Sequence, residues 1–555
     1  MSEIFKHWAV PATLLCLLCV AVFFSDMLRA QGTEGVIAGS DEENHLPRMM
    51  HVYRAQQFNP EGPLFDRTVD YWPNWWPPLT YWLGAQAFRT LGPSRQSAAA
   101  AIAFFHLIIG LAAFAVAWRF ADPWTGLCAA LAAMLSSSVM HFAGIIGLDL
   151  ALAAMVAAAM ACLLLSEGFA RAAPSILFGI FCGLGMLAKI TFPIFLLPAV
   201  LASLIVYRKD LNLRSWALLF VAFSSAALLA SIWCFERAVL IARALFFHLV
   251  DYQTKPDVAA FHSESGTFFA TDLAEAAGLG ILLLIALGLW GTLIRRRAPE
   301  IVMASSVLAS LAIVAAAPSN PERFWLPAIP VGLMLGCVAM SQIKAKSSRI
   351  AVAAVFVILI GGASASRIYG AFKNVPLIFP PKPGVAALKN HEEFVSAVLS
   401  ENISEQGQFC IFSESDRIFH EGYLRYLVQR RRPDLQGWVW GPVHFHHRQL
   451  EDFLHRLETC ETVIFRTSRQ EIEKPDRQSV LRAVHLGEAH SMKHFDGLLA
   501  KGYFPKTFDI EKRLSESFAP FEYAGEMSLE KQAHDDAANR IVILRRKQEP
   551  DEREG

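Results

Sequence analysis

The chain has 555 residues, of which 54% are hydrophobic and only 18% charged. That composition excludes an ordinary soluble protein of this size and describes a polytopic membrane protein. Lys and Arg total 50 and Asp and Glu total 50, so no basic excess points to a nucleic-acid partner.

The first apolar run, residues 8–24, follows a short head carrying Lys6. It suits a retained transmembrane helix better than a signal peptide, because no small-x-small cleavage site follows closely. The positive-inside rule then puts the amino terminus in the cytoplasm and the next polar segment, residues 38–84, outside. That segment lies in an outer loop spanning residues 25–96. It opens on Asp41, Glu42 and Glu43 and closes on Trp72, Trp75, Trp76, Pro77, Pro78, Tyr81 and Trp82. Ser40 and Glu43 have capping-box spacing, and Leu46, Met49, Met50, Tyr53 and Phe58 follow a helical period, so an amphipathic helix is expected here. Pro47 argues for a later start with Asn44 as the cap, leaving Asp41 and Glu42 in the approach. The residues alone leave two readings of the acids open, helix capping or chemistry. The aromatic cluster has a plain reading as an interface anchor.

Further spans are expected at residues 97–118, 124–140, 150–166, 174–207, 215–235, 276–294, 301–317, 325–340 and 350–365. Residues 174–207 are too long for one helix against a ~30 Å core, so we divide them near Lys189, with Pro193 marking a break. About eleven spans result. Arg208, Lys209 and Arg214, then Arg295, Arg296 and Arg297, then Lys344, Lys346 and Arg349 all fall on the inner side in this arrangement. Asp149, Lys189, Arg323 and everything after Arg367 fall outside. Charges at a membrane edge are costly unless used, although snorkelling to the interface is the alternative.

After a proline-rich joint at residues 376–383 the composition becomes that of a soluble domain, residues 384–546. Residues 408–412, 462–465 and 540–544 read as strands between amphipathic stretches, which predicts a small extracytoplasmic α/β domain. The tail, residues 547–555, is charged and expected to be disordered. His444, His446 and His447 have no further ligand at metal-site spacing. Of nine cysteines, only Cys410 and Cys460 lie outside apolar runs, where a disulfide is conceivable.

Five motifs then occur in order: SDEENHLPRMMHVYR, WPPLTYWLGAQAFRTLG, GLDLALAA, GLGMLAKITFP and RFWLPAIP. Together they resemble the GT-C superfamily of membrane glycosyltransferases, especially its aminoarabinose-transferase and protein O-mannosyltransferase branch, over residues 1 to about 367. The resemblance implies a transmembrane catalytic domain, residues 1–375, whose first outer loop carries an acidic pair, here Asp41 and Glu42. It also implies donor-binding positions at Asp149, Lys189 of the GLxxLxK motif, and Arg323 before an LPxxP turn. One departure stands out. The branch usually has Lys or His before the double proline, where this chain has Trp76.

Such an enzyme takes a sugar from a polyprenyl-phosphate donor and passes it to a lipid, glycan or protein acceptor. Attack on the anomeric carbon needs a carboxylate near the nucleophile, and the departing phosphate needs cations or a divalent metal. Asp41 is the candidate base, Glu42 an assistant or metal ligand, and Lys189 and Arg323 the phosphate contacts, with direct displacement inverting the anomeric centre. The resemblance also implies residence in a bacterial inner membrane with an extracytoplasmic site. A transporter or flippase also needs intramembrane charges, but no inverted repeat is visible. A scaffold that binds lipid-linked sugar without transfer is the other alternative, which Trp76 keeps open.

Overall fold

The computed structural model describes residues 2–32, 42–58, 76–235, 237–239, 241–242, 279–316 and 321–343, and five strands between residues 409 and 546. The chain divides into two compact units, one of Met1–Gly32 with His51–Pro380 and one of Thr33–Met50 with Pro381–Gly555. The first is helical. The joint at residues 376–383, the span at 350–365 and the tail lie outside the described residues, as do Lys344, Lys346, Arg349 and the His444–His447 group.

The first unit opens on α1 (Ser2–Gly32) and α3 (Leu79–Leu91), which leads into α4 (Arg95–Phe120). Between them in sequence lies α2 (Glu42–Phe58), which the division crosses, its residues up to Met50 falling in the second unit. It begins at Glu42 and carries Pro47 inside it, so the expected cap at Asn44 is corrected: the helix absorbs the proline at the cost of one backbone bond. The predicted apolar stripe is real, with Leu46, Met49 and Met50 buried and Tyr53 edge-on to Phe88 of α3, ring centroids 6.0 Å apart.

Residues 124–140, expected as one span, form two helices, α5 (Pro123–Met134) and α6 (Ser137–Ala143), bent by 57°. Asp122 caps the first, its Oδ1 accepting from the backbone N–H groups of Trp124 and Thr125. The break falls at Leu135 and Ser136, where the Ser136 hydroxyl donates back to the Ala133 carbonyl at 3.0 Å. Such a bond offers the backbone an alternative to continuing the ladder.

Next comes α7 (Asp149–Leu165), whose residues are buried on every side from Asp149 to Leu164, as its uninterrupted apolar sequence requires. It forms a hairpin with α8 (Ala172–Ala188), and α9 (Phe192–Val206) follows directly. The predicted division at Lys189 is observed, with Pro193 in the first turn of α9. Gly185 allows it: an added Cβ would lie 2.3 Å from the Phe192 ring, which folds back over that glycine.

Glycines also set the remaining contacts. On α10 (Leu213–Cys234) the Ala222 carbonyl oxygen would clash with a Cβ at Gly179, and Leu229 packs against Gly183. This is small-xxx-small packing, in which missing side chains let helix backbones approach. The pattern recurs where α11 (Leu279–Arg295) meets α14 (Ala328–Ser341) through Gly332 and Gly336. Between them in sequence lie α12 (Ala298–Ala316) and the single turn α13 (Pro321–Trp325). Ser306 of α12 donates to the Phe195 carbonyl of α9 at 2.9 Å.

Among the described residues, three helices are long and apolar enough to cross a membrane alone: residues 9–28 of α1, α4 and α10. The bent pair α5 and α6 counts as a fourth, and the shorter apolar helices α7, α8, α9, α11, α12 and α14 fill the rest of the bundle. Arg208, Lys209 and Arg214 precede or open α10, and Arg295 to Arg297 join α11 to α12, so both described basic groups lie at the end of the bundle opposite Lys189.

In the second unit, β1 (Phe409–Ser413), β2 (Gly437–Trp440), β3 (Thr462–Thr467), β4 (Phe521–Ser528) and β5 (Arg540–Arg546) form one sheet in the order β2-β1-β3-β5-β4. β1 is parallel to both neighbours, with Ile411 opposite Val439 and Ile464. β5 is antiparallel to β3 and β4, with Ile543 opposite Ile464 and Gly525. Three strands fall where the sequence placed them. The helices expected between them lie outside the described residues.

Candidate active site

Asp149 is the first residue of α7, where a carboxylate is favoured by the unpaired N–H groups of the opening turn. Its side chain is buried, with the residue only 4% exposed, and a lone carboxylate there would be costly. Two cations offset that cost. Lys189 Nζ donates to Oδ1 at 2.5 Å. Arg323 approaches the other oxygen through Nε at 2.9 Å and through a terminal guanidinium nitrogen at 2.9 Å.

The architecture makes this convergence necessary. α7 and α8 run antiparallel, so the residue opening the first and the residue ending the second meet at one end of the bundle. Lys189 is the C-cap of α8, its own N–H bonded to the Gly185 carbonyl at 3.0 Å. Arg323 arrives from α13, the turn before α14.

Two cations and one carboxylate leave the cluster with a formal charge of +1. The Lys189 and Arg323 side chains are 21% and 30% exposed, against 5% for Asp149. An ammonium carries three donors, and the bond to Asp149 uses one of them, so Lys189 keeps donor capacity toward solvent. The three residues expected to bind donor phosphate are therefore brought together, with Asp149 innermost and the cations outermost. Among the described residues no group of three or more His, Cys, Asp or Glu side chains forms a metal site. Both Asp149 oxygens already face cations.

Of the acidic pair, Asp41 lies outside the described residues and Glu42 is known by its backbone alone, as the first residue of α2. Trp76 is partly buried, and Pro77 and Pro78 lead from it into α3.

Residues 76–394, more than half of the chain, match the Alg9-like mannosyltransferase family. The chain belongs to that family. It is thus a membrane glycosyltransferase of the GT-C superfamily, as the five motifs led us to expect. The solved structures it resembles share the GT-C fold. They include ArnT from Cupriavidus metallidurans in the apo state, 14% identical with a TM-score of 0.57 over 96% of this chain and 98% of ArnT. The same protein bound to undecaprenyl phosphate gives 14% and 0.56, over 96% and 97%. Arabinofuranosyltransferase AftD from Mycobacteria is 13% identical with a TM-score of 0.51, over 97% of this chain and 40% of AftD. No curated protein matches the chain. Within the Alg9-like family the match begins at Trp76 and includes Asp149, Lys189 and Arg323.

Three polar residues that sequence reasoning passed over lie elsewhere in the bundle. Asp26, Arg95 and His106 are all buried. Each stands in or beside an apolar run, which was the available signal.

Proposed function

We propose that this glycosyltransferase takes its sugar from a polyprenyl-phosphate donor and passes it to a lipid, glycan or protein acceptor at the outer membrane face. The observation that carries the reading is the Asp149–Lys189–Arg323 cluster, two cations gathered on one buried carboxylate at one end of an apolar bundle. A polyprenyl-phosphate donor presents its phosphate in just such a setting, with the lipid in the bilayer and the sugar at the surface. The fold likeness to ArnT, which has been solved with undecaprenyl phosphate, supports the same donor class.

In this reading Lys189 and Arg323 hold the phosphate, Arg323 by the planar fork that suits two oxygens. Asp149 does not touch phosphate, since like charges repel; it aims the cations. The acceptor oxygen or nitrogen attacks the anomeric carbon as the carbon–oxygen bond to phosphate breaks. Its proton passes to Asp41, assisted by Glu42, and the polyprenyl phosphate departs with its electron pair onto oxygen. Charge growing on that oxygen is stabilised by the two cations. A single displacement inverts the anomeric centre.

We read each apolar helix of the bundle as a membrane crossing, in a bacterial inner membrane, with the cluster and the carboxy-terminal α/β domain extracytoplasmic. Family membership speaks against a transporter or flippase. Incubating the purified protein with radiolabelled polyprenyl-phosphate sugars and membrane extracts tests transfer: label should move to an acceptor with inverted anomeric configuration. Tight donor binding with no transfer to any acceptor would favour a non-catalytic binding protein.

A further inference from the structure

Arg95 and His106 stand eleven residues apart on α4, which at 3.6 residues per turn is about 20° beyond three full turns. They share one face of the helix, roughly 16 Å apart. Arg95 is 2% exposed and His106 0%, in a stretch that, Gln96 apart, is otherwise apolar or small. Each makes the same kind of bridge at its own level. His106 Nδ1 lies 2.8 Å from Asp26 Oδ2 of α1, and its Nε2 lies 2.8 Å from the Met134 carbonyl, the last residue of α5. One terminal nitrogen of Arg95 donates to the Ala30 carbonyl in the last turn of α1 at 3.1 Å, and the other to the Gly144 carbonyl, which caps α6, at 3.4 Å.

The last carbonyls of a helix have no donor within it. Here both halves of the bent α5–α6 pair end on a donor supplied by α4, and a cationic side chain also suits the negative end of a helix. The bend is thus fixed from outside, at both of its helix ends. From Gly144 only Ile145 to Leu148 separate the chain from Asp149. Where α6 stops decides where the buried carboxylate begins.

We propose that Arg95 and His106 are positioning residues for the Asp149–Lys189–Arg323 cluster: they hold the α5–α6 bend, and the bend places Asp149 so that its two oxygens aim Lys189 and Arg323. The proposal rests on the phosphate-binding reading of that cluster. The bonds described run from both residues to α1 and to the ends of α5 and α6. Their effect passes through Asp149, which makes it separable from a general loosening of the bundle.

The test is a double-mutant cycle on the full-length purified protein, reading undecaprenyl-phosphate affinity and thermal stability. Arg95→Lys keeps the charge and loses the fork; His106→Gln keeps one amide donor and loses the second contact, and serves if Arg95→Lys fails to fold. Either variant should weaken affinity about tenfold at near wild-type melting temperature, and should add nothing in an Asp149→Asn background. Glu167→Gln is the control, because it cuts the Arg119 and Arg171 pairs at the opposite end of the bundle and should leave affinity unchanged. Wild-type affinity in Arg95→Lys and His106→Gln, or losses that multiply with that of Asp149→Asn, would overturn the positioning role alone. An Asp149→Asn variant that binds normally would remove the cluster from the donor site, and this proposal with it.

Discussion

Asp149 and Lys189, forty residues apart, meet at 2.5 Å because the hairpin of α7 and α8 returns the chain to the end from which it set out. Arg323 joins them from 174 residues beyond Asp149. One buried carboxylate therefore fixes two cations that would otherwise repel, and the pair of cations is the part of the cluster that faces solvent.

Asp149→Asn keeps the shape and removes the charge. It should lower stability by about 2–3 kcal/mol, below the full value for breaking a buried pair because both cations are partly exposed. Donor affinity should fall as well, since Lys189 and Arg323 lose their aim. Thermal unfolding in detergent and a donor-binding titration on the same preparation check both halves.

Gly179→Ala should cost about 1–3 kcal/mol, because the new methyl meets the Ala222 carbonyl of α10, backbone that cannot swing aside. Gly110→Ala meets the Met134 side chain first, which has rotatable bonds to yield with, so its loss should be smaller. Melting temperatures of the two variants, side by side, decide it. Equal losses would mean that the α8–α10 contact is not as tight as described.

Sidedness is open to direct chemistry. With the carboxy-terminal domain outside, a membrane-impermeant thiol reagent on intact cells should label Cys410 or Cys460, after mild reduction if they are paired. Labelling only after lysis, in a denatured and reduced sample as well as a native one, would reverse the orientation.

Asp41→Asn and Glu43→Gln separate chemistry from helix capping at the start of α2. Loss of a general base typically costs about 10² to 10⁴ in rate, roughly 3–5 kcal/mol of barrier. Loss of a cap costs about 1 kcal/mol of stability, and Asn caps nearly as well as Asp. Asp41→Asn should therefore express and melt normally yet turn over at least 100-fold more slowly, while Glu43→Gln stays near wild type. Near-normal turnover of Asp41→Asn would return these acids to a capping role.

The three cluster residues were legible because each interrupts or borders an apolar run, where a charge is conspicuous. Their pairing was not legible, since nothing local in GLDLALAA or GLGMLAKITFP says which end of which helix meets the other. The bend between α5 and α6 was hidden for a different reason: three serines are too mild to break an apolar pattern, and the donor that ends α5 comes from His106 on another helix. Pro47 misled in the opposite direction. Its missing N–H signals a helix boundary, but one lost bond is a cost that α2 bears within its length. The glycines of α8 and α14 were visible as letters, but which backbone each admits is a property of the packed bundle.

The central claim is that Lys189 and Arg323 hold the donor's phosphate. Native mass spectrometry of the purified protein titrated with undecaprenyl phosphate measures it most directly. Lys189→Ala and Arg323→Ala, each folded by its melting curve, should each bind the lipid phosphate at least tenfold more weakly than wild type, with Arg323→Lys also impaired despite its charge. Wild-type affinity in both alanine variants would contradict the account.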